Sequence, residues 1–198
     1  MRPHFWKEIV FWRLNVSTKQ FEKATLAGGC FWCTEAIYEK VKGINLVESG
    51  YIGGDVVNPS YELVCSGTTG HAEAVQITYD PSIISYDEIL KIFFATHDPT
   101  TLNRQGADIG TQYRSAIFWH TKEQEKSATD IVLELVKSNI WTDPIVTEIV
   151  PLSPFFKAED YHQGYYRENS AQMYCQVVIT PKMEKFSIEY KDYLKEDM

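Results

Sequence analysis

Phe21-Glu22-Lys23-Ala24-Thr25-Leu26-Ala27-Gly28-Gly29-Cys30-Phe31-Trp32-Cys33 is the stretch from which the fold can be read. Residues 21–27 alternate, with Phe21, Lys23, Thr25 and Ala27 on one side and Glu22, Ala24 and Leu26 on the other, which predicts a strand. Gly28-Gly29 breaks it. From Cys30 to about Val41 the residues Phe31, Ile37, Tyr38 and Val41 gather on one face at helical spacing, which predicts a helix, and Gly43 is its natural stop. Two cysteines three apart therefore sit where a strand turns through a glycine pair into a helix.

Outward from this joint the chain punctuates itself clearly. Leu46 to Ile52 predicts a second strand, closed by Gly53-Gly54, and a loop follows through Pro59 and Gly67-Thr68-Thr69-Gly70. His71 to Tyr79 alternates again and ends at Asp80-Pro81. Ser85 and Glu88 form a capping box for a helix carrying Ile89, Leu90, Ile92, Phe93 and Phe94, which stops before Asp98-Pro99. Residues 98–112 have little periodicity, and a loop that long in a compact domain is usually functional. Tyr113–Trp119 predicts a strand, Thr121 with Gln124 opens a helix to about Ser138, and Ile145–Val150 predicts another strand. Beyond it the chain reads as irregular, with a helical piece around Ala158–Arg167, a short apolar run Cys175–Ile179 and a charged helix from Pro181.

The order β-α-β-β-α-β is the split βαβ, or ferredoxin-like, pattern. It predicts an α+β sandwich, a mainly antiparallel sheet with helices on one face, extended by a further helix, a further strand and the irregular C-terminal segment. We expect residues 21–198 to form a single domain. Residues 1–20 read as an N-terminal extension, either a short helix with Phe5, Ile9 and Trp12 on one face or a partly disordered segment.

At 198 residues the chain can bury a core without staples, and its four cysteines do not demand a disulfide framework. The net charge of −8 argues against a nucleic-acid partner. No apolar segment is long enough to span a membrane, and the Ile9-Val10-Phe11-Trp12 run is too short for a signal-peptide core, so the expectation is a cytoplasmic protein. Nothing signals an oligomer, and a monomer is expected. No phosphate loop or dinucleotide fingerprint occurs, and no second ligand pair accompanies the CxxC as zinc would require, so neither cofactor nor metal is expected.

A cysteine at a helix N-terminus faces unpaired N–H groups and the positive end of the helix dipole, which predicts a lowered pKa and a nucleophilic thiolate at Cys30. Cys33, one turn on, lies within disulfide reach, so the pair can cycle between dithiol and disulfide. Taken alone this suggests a thioredoxin-like exchanger. Phe31 and Trp32 resist that reading, because an exchanger needs its disulfide open to protein partners.

GGCFWCTEA, YIGG, YELVCSGTTGHAEAVQITYD, HDPTTLNRQGADIGTQYRSAIF and AEDYHQ, in that order, resemble the successive motifs of the A-type peptide methionine sulfoxide reductases. The resemblance covers about residues 24–186. It implies a catalytic reductase domain in which Cys30 attacks the sulfur of methionine S-sulfoxide, free or in proteins, becomes a sulfenic acid and releases methionine, repairing oxidative damage. It implies Glu73 as the acid, Tyr61 and Tyr113 as phenol donors to the sulfoxide oxygen, Asp108 as a supporting acidic residue, and Phe31 with Trp32 as the wall that holds the substrate methyl group. His162 and Asp160 fall in a matching segment and are candidates for supporting the site. His71 and Arg114 are expected as structural hydrogen-bonders, and Tyr51 as part of a turn.

Many members of the family have glycine where Cys33 stands and keep their resolving cysteines in a C-terminal tail. Here the tail after Pro181 has none. The expectation is that Cys33 resolves the Cys30 sulfenic acid and that thioredoxin or a similar dithiol protein reduces the disulfide, with Cys175 the alternative resolver and Cys65 a buried thiol. Two other readings compete: a general disulfide exchanger, which has no need of Glu73, and a non-catalytic module recognising oxidised methionine, which has no need of two cysteines.

Overall fold

The computed structural model describes residues 20–196. The expected extension over residues 1–20 lies outside the described residues apart from Gln20.

The predicted order holds, with additions where elements are short. β1 (Glu22–Gly28), α1 (Phe31–Glu39), β2 (Ile44–Ile52), the short α2 (Tyr61–Cys65), β3 (Ala72–Tyr79) and α3 (Tyr86–Thr96) come first. The segment expected as loop over residues 98–112 folds into a two-stranded ribbon, β4 (Arg104–Gln105) and β5 (Asp108–Ile109), followed by a 3-10 turn at Thr111–Tyr113. β6 (Ser115–Trp119), α4 (Lys122–Ser138), β7 (Glu148–Pro151) and β8 (Phe156–Lys157) follow. Then come a 3-10 turn at Asp160–His162, α5 (Tyr165–Asn169), a π-helical stretch at Cys175–Ile179 and α6 (Thr180–Glu189). Tyr113 thus ends a turn rather than starting a strand. α2 escaped the sequence reading because five residues, capped by the Ser60 hydroxyl, are too few to carry a helical period.

The main sheet has the order β7-β6-β1-β3-β2-β8. Its middle, β6-β1-β3-β2, is antiparallel throughout and is the ferredoxin-like core that the sequence pattern predicts. β7 pairs parallel to β6, as a strand returning through α4 does, and β8 closes the other edge. On the helical face, Leu26, Val75, Ile77 and Ile117 of the sheet pack with Phe31 and Ile37 of α1, Ile89 and Phe93 of α3, Ile131 of α4 and Phe186 of α6. The opposite face carries a smaller cluster of Ala27, Ile52, Ala72, Ala74, Ala116 and Phe118, covered by Val150 and Phe155.

The capping box on α3 is complete. The Glu88 N–H donates to the Ser85 hydroxyl at 3.2 Å, and the Ser85 N–H donates to the Glu88 carboxylate at 2.8 Å. Ser85→Ala is expected to cost about 1 kcal/mol and to lower the thermal midpoint by roughly 2–4 °C, measured by thermal unfolding, with activity unchanged.

Candidate active site

Gly29 makes the strand-to-helix joint possible. Its φ of +94° belongs to the left-handed region, where a side chain is strained, and a Cβ there would meet the Gln105 side chain at 2.6 Å. The turn sets Cys30 at the N-cap of α1, with its own side chain capping nothing. The first helical amide, Phe31 N–H, donates instead to the Glu73 carboxyl group at 3.1 Å. Glu73 comes from β3, opposite Tyr51 of β2, and projects from the same strand face as Val75, Ile77 and Tyr79. It is therefore under the start of α1 and only 1% exposed, where an alternating strand would more ordinarily show a glutamate to solvent.

A cavity of about 180 Å³ is lined by Cys30, Phe31, Trp32, Tyr61, Glu73, Asp108, Tyr113 and Tyr174. Seven of these were singled out from the sequence; Tyr174 was not. Four separate parts of the fold supply them besides α1: α2 gives Tyr61, β3 gives Glu73, the β4–β5 ribbon and the turn after it give Asp108 and Tyr113, and the residue before the π-helix gives Tyr174. The Tyr174 hydroxyl donates to Asp108 Oδ2 at 2.9 Å and lies 4.0 Å from Cys33 Sγ, so it spans the dithiol. Its only sequence signal was adjacency to Cys175.

The electrostatics follow from burial. Glu73 is pushed up to about 8, chiefly by loss of water, with the Phe31 amide opposing and the charges of Asp108 and Cys33 adding to the rise. It is thus a carboxylic acid at neutral pH. Tyr61 and Tyr113 are both raised, first by burial, and remain phenols that can donate. Cys30 is raised rather than lowered, a correction to the helix-terminus expectation: burial dominates, and the Cys33 hydrogen bond and the nearby Glu73 add to it. That same bond lowers Cys33. Neither cysteine is in a disulfide: both are free thiols.

Behind the cavity lies an aromatic stack. Trp32 is parallel to Tyr165 at 3.7 Å, meets Tyr174 edge-on at 5.9 Å and donates its indole N–H to His162 Nδ1 at 3.1 Å. His162 is 1% exposed, and burial lowers its pKa, so the ring is neutral with its proton on Nε2. That nitrogen lies 3.9 Å from Glu159. The Glu159 carboxylate in turn accepts from the Tyr51 hydroxyl and the Tyr61 backbone N–H, each at 2.9 Å. Tyr51 is therefore a buried strand residue anchoring this network, not part of a turn. Asp160 is exposed and lines no part of the cavity.

Of the remaining candidates, His71 bridges backbone, accepting from the Gly54 N–H at 3.1 Å and donating to Val56 O at 2.8 Å. Arg114 binds Glu148 and Thr111 O, also as expected. Cys175 is fully buried in the π-helical stretch, off the cavity lining. Cys65 is exposed rather than buried, because α2 turns only Val64 into the core.

One thiol with a second a helical turn behind it, a neutral carboxylic acid, two phenols and an aromatic wall meet at one small cavity, Cys33 itself lying off the lining. They fit attack by sulfur on a polar, oxygen-bearing centre whose oxygen gains charge. The sequence model of the peptide methionine sulfoxide reductase family matches residues 22–194. A peptide methionine sulfoxide reductase of Deinococcus radiodurans is 57% identical over 174 residues, covering 88% of this chain and 84% of its own length. The reduced form of Mxr1 from Saccharomyces cerevisiae superposes with a TM-score of 0.71 at 37% identity, over 79% of this chain and 90% of that one. Mxr1 in complex with Trx2 superposes with a TM-score of 0.51 at 29% identity, over 75% of this chain and 86% of that one.

Proposed function

The chain belongs to the peptide methionine sulfoxide reductase family and reduces methionine sulfoxide with thiols, and on that premise we propose how its own residues do so. The sulfoxide oxygen enters between Glu73 and the phenols of Tyr61 and Tyr113, with the methyl group against Phe31 and Trp32. Cys30 sulfur attacks the sulfoxide sulfur, and the oxygen, gaining charge, takes a proton from Glu73. The oxygen passes to Cys30 as a sulfenic acid, methionine leaves, and the thiol proton restores Glu73. Cys33 sulfur then displaces the hydroxyl group from Cys30, giving the Cys30–Cys33 disulfide and water. Asp108 holds Tyr174 over the dithiol, and His162 holds Trp32 in the wall.

The observation that carries this reading is Glu73, a buried carboxyl group still protonated at neutral pH, 3.1 Å from the amide that follows the nucleophile. A disulfide exchanger has no use for such an acid. The cavity of about 180 Å³ admits the sulfoxide end of a side chain and leaves the rest outside, which suits both free and protein-bound substrate. Thioredoxin, or a similar dithiol protein, is the reductant, a reading supported by the solved complex of the related Mxr1 with Trx2. We take residues 21–198 to act as one catalytic domain, monomeric and cytoplasmic. Among the described residues, no helix is long and apolar enough to cross a membrane.

The test is one turnover without external reductant. Reduced protein mixed with the S epimer of methionine sulfoxide should yield about one methionine and lose about two thiols, and the R epimer should yield none. Methionine from both epimers, or one thiol lost per methionine, would overturn the stereospecific two-cysteine cycle.

A further inference from the structure

Glu35 takes no part in the chemistry above, yet it is a carboxyl group only 1% exposed, two residues past Cys33 on α1. Its Oε1 accepts from the Gly164 N–H at 2.9 Å and its Oε2 from the Tyr165 N–H at 3.3 Å. Gly164 has a φ of +62°, and this left-handed turn aims two successive amides at one carboxylate. The second of those amides belongs to the residue whose ring lies flat on Trp32. The adjoining Gln163 clamps β2, accepting from the Ser49 N–H and donating to Ser49 O, both at 3.0 Å. Residues 162–165 are thus tied down at three places, and Glu35 is the tie that controls the Tyr165 backbone.

We propose that Glu35 is a positioning residue for the sulfoxide pocket: its paired amide bonds hold Tyr165 against Trp32 and so fix the wall that receives the substrate methyl group. This rests on the reading of Phe31 and Trp32 as that wall. Burial pushes Glu35 up to about 7; the Gly164 and Tyr165 amides and the Ser49 hydroxyl of β2 pull against that rise, and Glu39 of α1 adds to it. Arg167 of α5 is engaged with Glu39. Protonation turns one Glu35 oxygen into a donor facing an amide, so the tie slackens as pH falls through about 7. Glu73, raised to about 8, only gains protonation as pH falls, so the acid is not weakened while the wall loosens.

The experiment measures kcat and KM for methionine S-sulfoxide between about pH 6 and 8 with the full chain, for wild type, Glu35→Gln, Glu35→Ala, Tyr165→Leu and Trp32→Ala. In wild type, KM is expected to rise roughly threefold to tenfold on going down through pH 7, with kcat changing less. Glu35→Gln, which keeps the shape where Glu35→Ala leaves a buried cavity, should show a raised KM without that inflection. Tyr165→Leu should raise KM by a similar factor, and the double variant with Glu35→Gln by no more than either alone. An unaltered KM profile in Glu35→Gln, or additive effects in the double variant, would overturn the role of Glu35 while a raised KM in Trp32→Ala left the wall standing. An unaltered KM in Trp32→Ala would remove the wall reading and the Glu35 role with it.

Discussion

Glu73→Gln is expected to lower the rate of methionine formation by about 10²–10⁴-fold in single-turnover experiments, with the fold intact. Glutamine can still accept the Phe31 amide bond, so the start of α1 keeps its support. What it cannot do is give a proton to the sulfoxide oxygen. In wild type the rate should fall as pH rises through about 8, where Glu73 ionises, and in Glu73→Gln that alkaline limb should vanish. Stability should move the other way. A carboxyl group whose folded pKa is raised stabilises the fold fully below its unfolded pKa, and that contribution is lost as pH rises through the folded value, because ionised Glu73 is poorly housed. Above about pH 8 the glutamine variant should therefore melt at a higher temperature than wild type. Activity lost and alkaline stability gained together would mark Glu73 as a group kept buried for its acidity. A variant retaining wild-type rates would end its assignment as the acid.

Cys33→Ser is expected to retain one turnover of methionine release and to lose thioredoxin-driven cycling by about 100-fold or more. The reason is geometric. Cys33 follows Cys30 at helical spacing, its backbone N–H donating to the Cys30 carbonyl at 3.1 Å, and both thiols are buried. Cys175 is fully buried in the five-residue π-helical stretch, directly after Tyr174. Tyr174, immediately before it, is held to Asp108 by a 2.9 Å hydrogen bond, which keeps this part of the backbone in place. Rapid kinetics with thiol counting decide the matter: one thiol lost per methionine in Cys33→Ser agrees with Cys33 as resolver. Full cycling with two thiols lost would transfer the role to Cys175.

The order of strands and helices was legible in the sequence wherever an element was long enough to repeat its own period. β1, α1, α3 and α4 each carry several turns or alternations, and glycine pairs, Asp-Pro steps and the Ser85–Glu88 box mark their ends. The two-residue strands β4, β5 and β8 and the short α2 carry no such repeat: β4 and β5 exist only as partners of each other, β8 only as a partner of distant β2, and α2 is a single capped turn. The CxxC, the aromatics between its cysteines and the glutamate on β3 could be named for the same reason: they lie in long, ordered motifs.

What the sequence by itself determined, then, is a split βαβ core with a dithiol at the first strand-to-helix joint. Only the tertiary structure decided how that dithiol behaves. β3 is buried on both faces, so alternation could not say that Glu73 is as dry as its neighbours, and its acidity follows from that dryness. Burial likewise overrode the helix terminus at Cys30. Tyr174, Glu159 and Glu35 act on the site through partners 66 to 141 residues away along the chain. No local pattern encodes such contacts, because loop closure and side-chain packing bring those groups together only once the whole domain has formed.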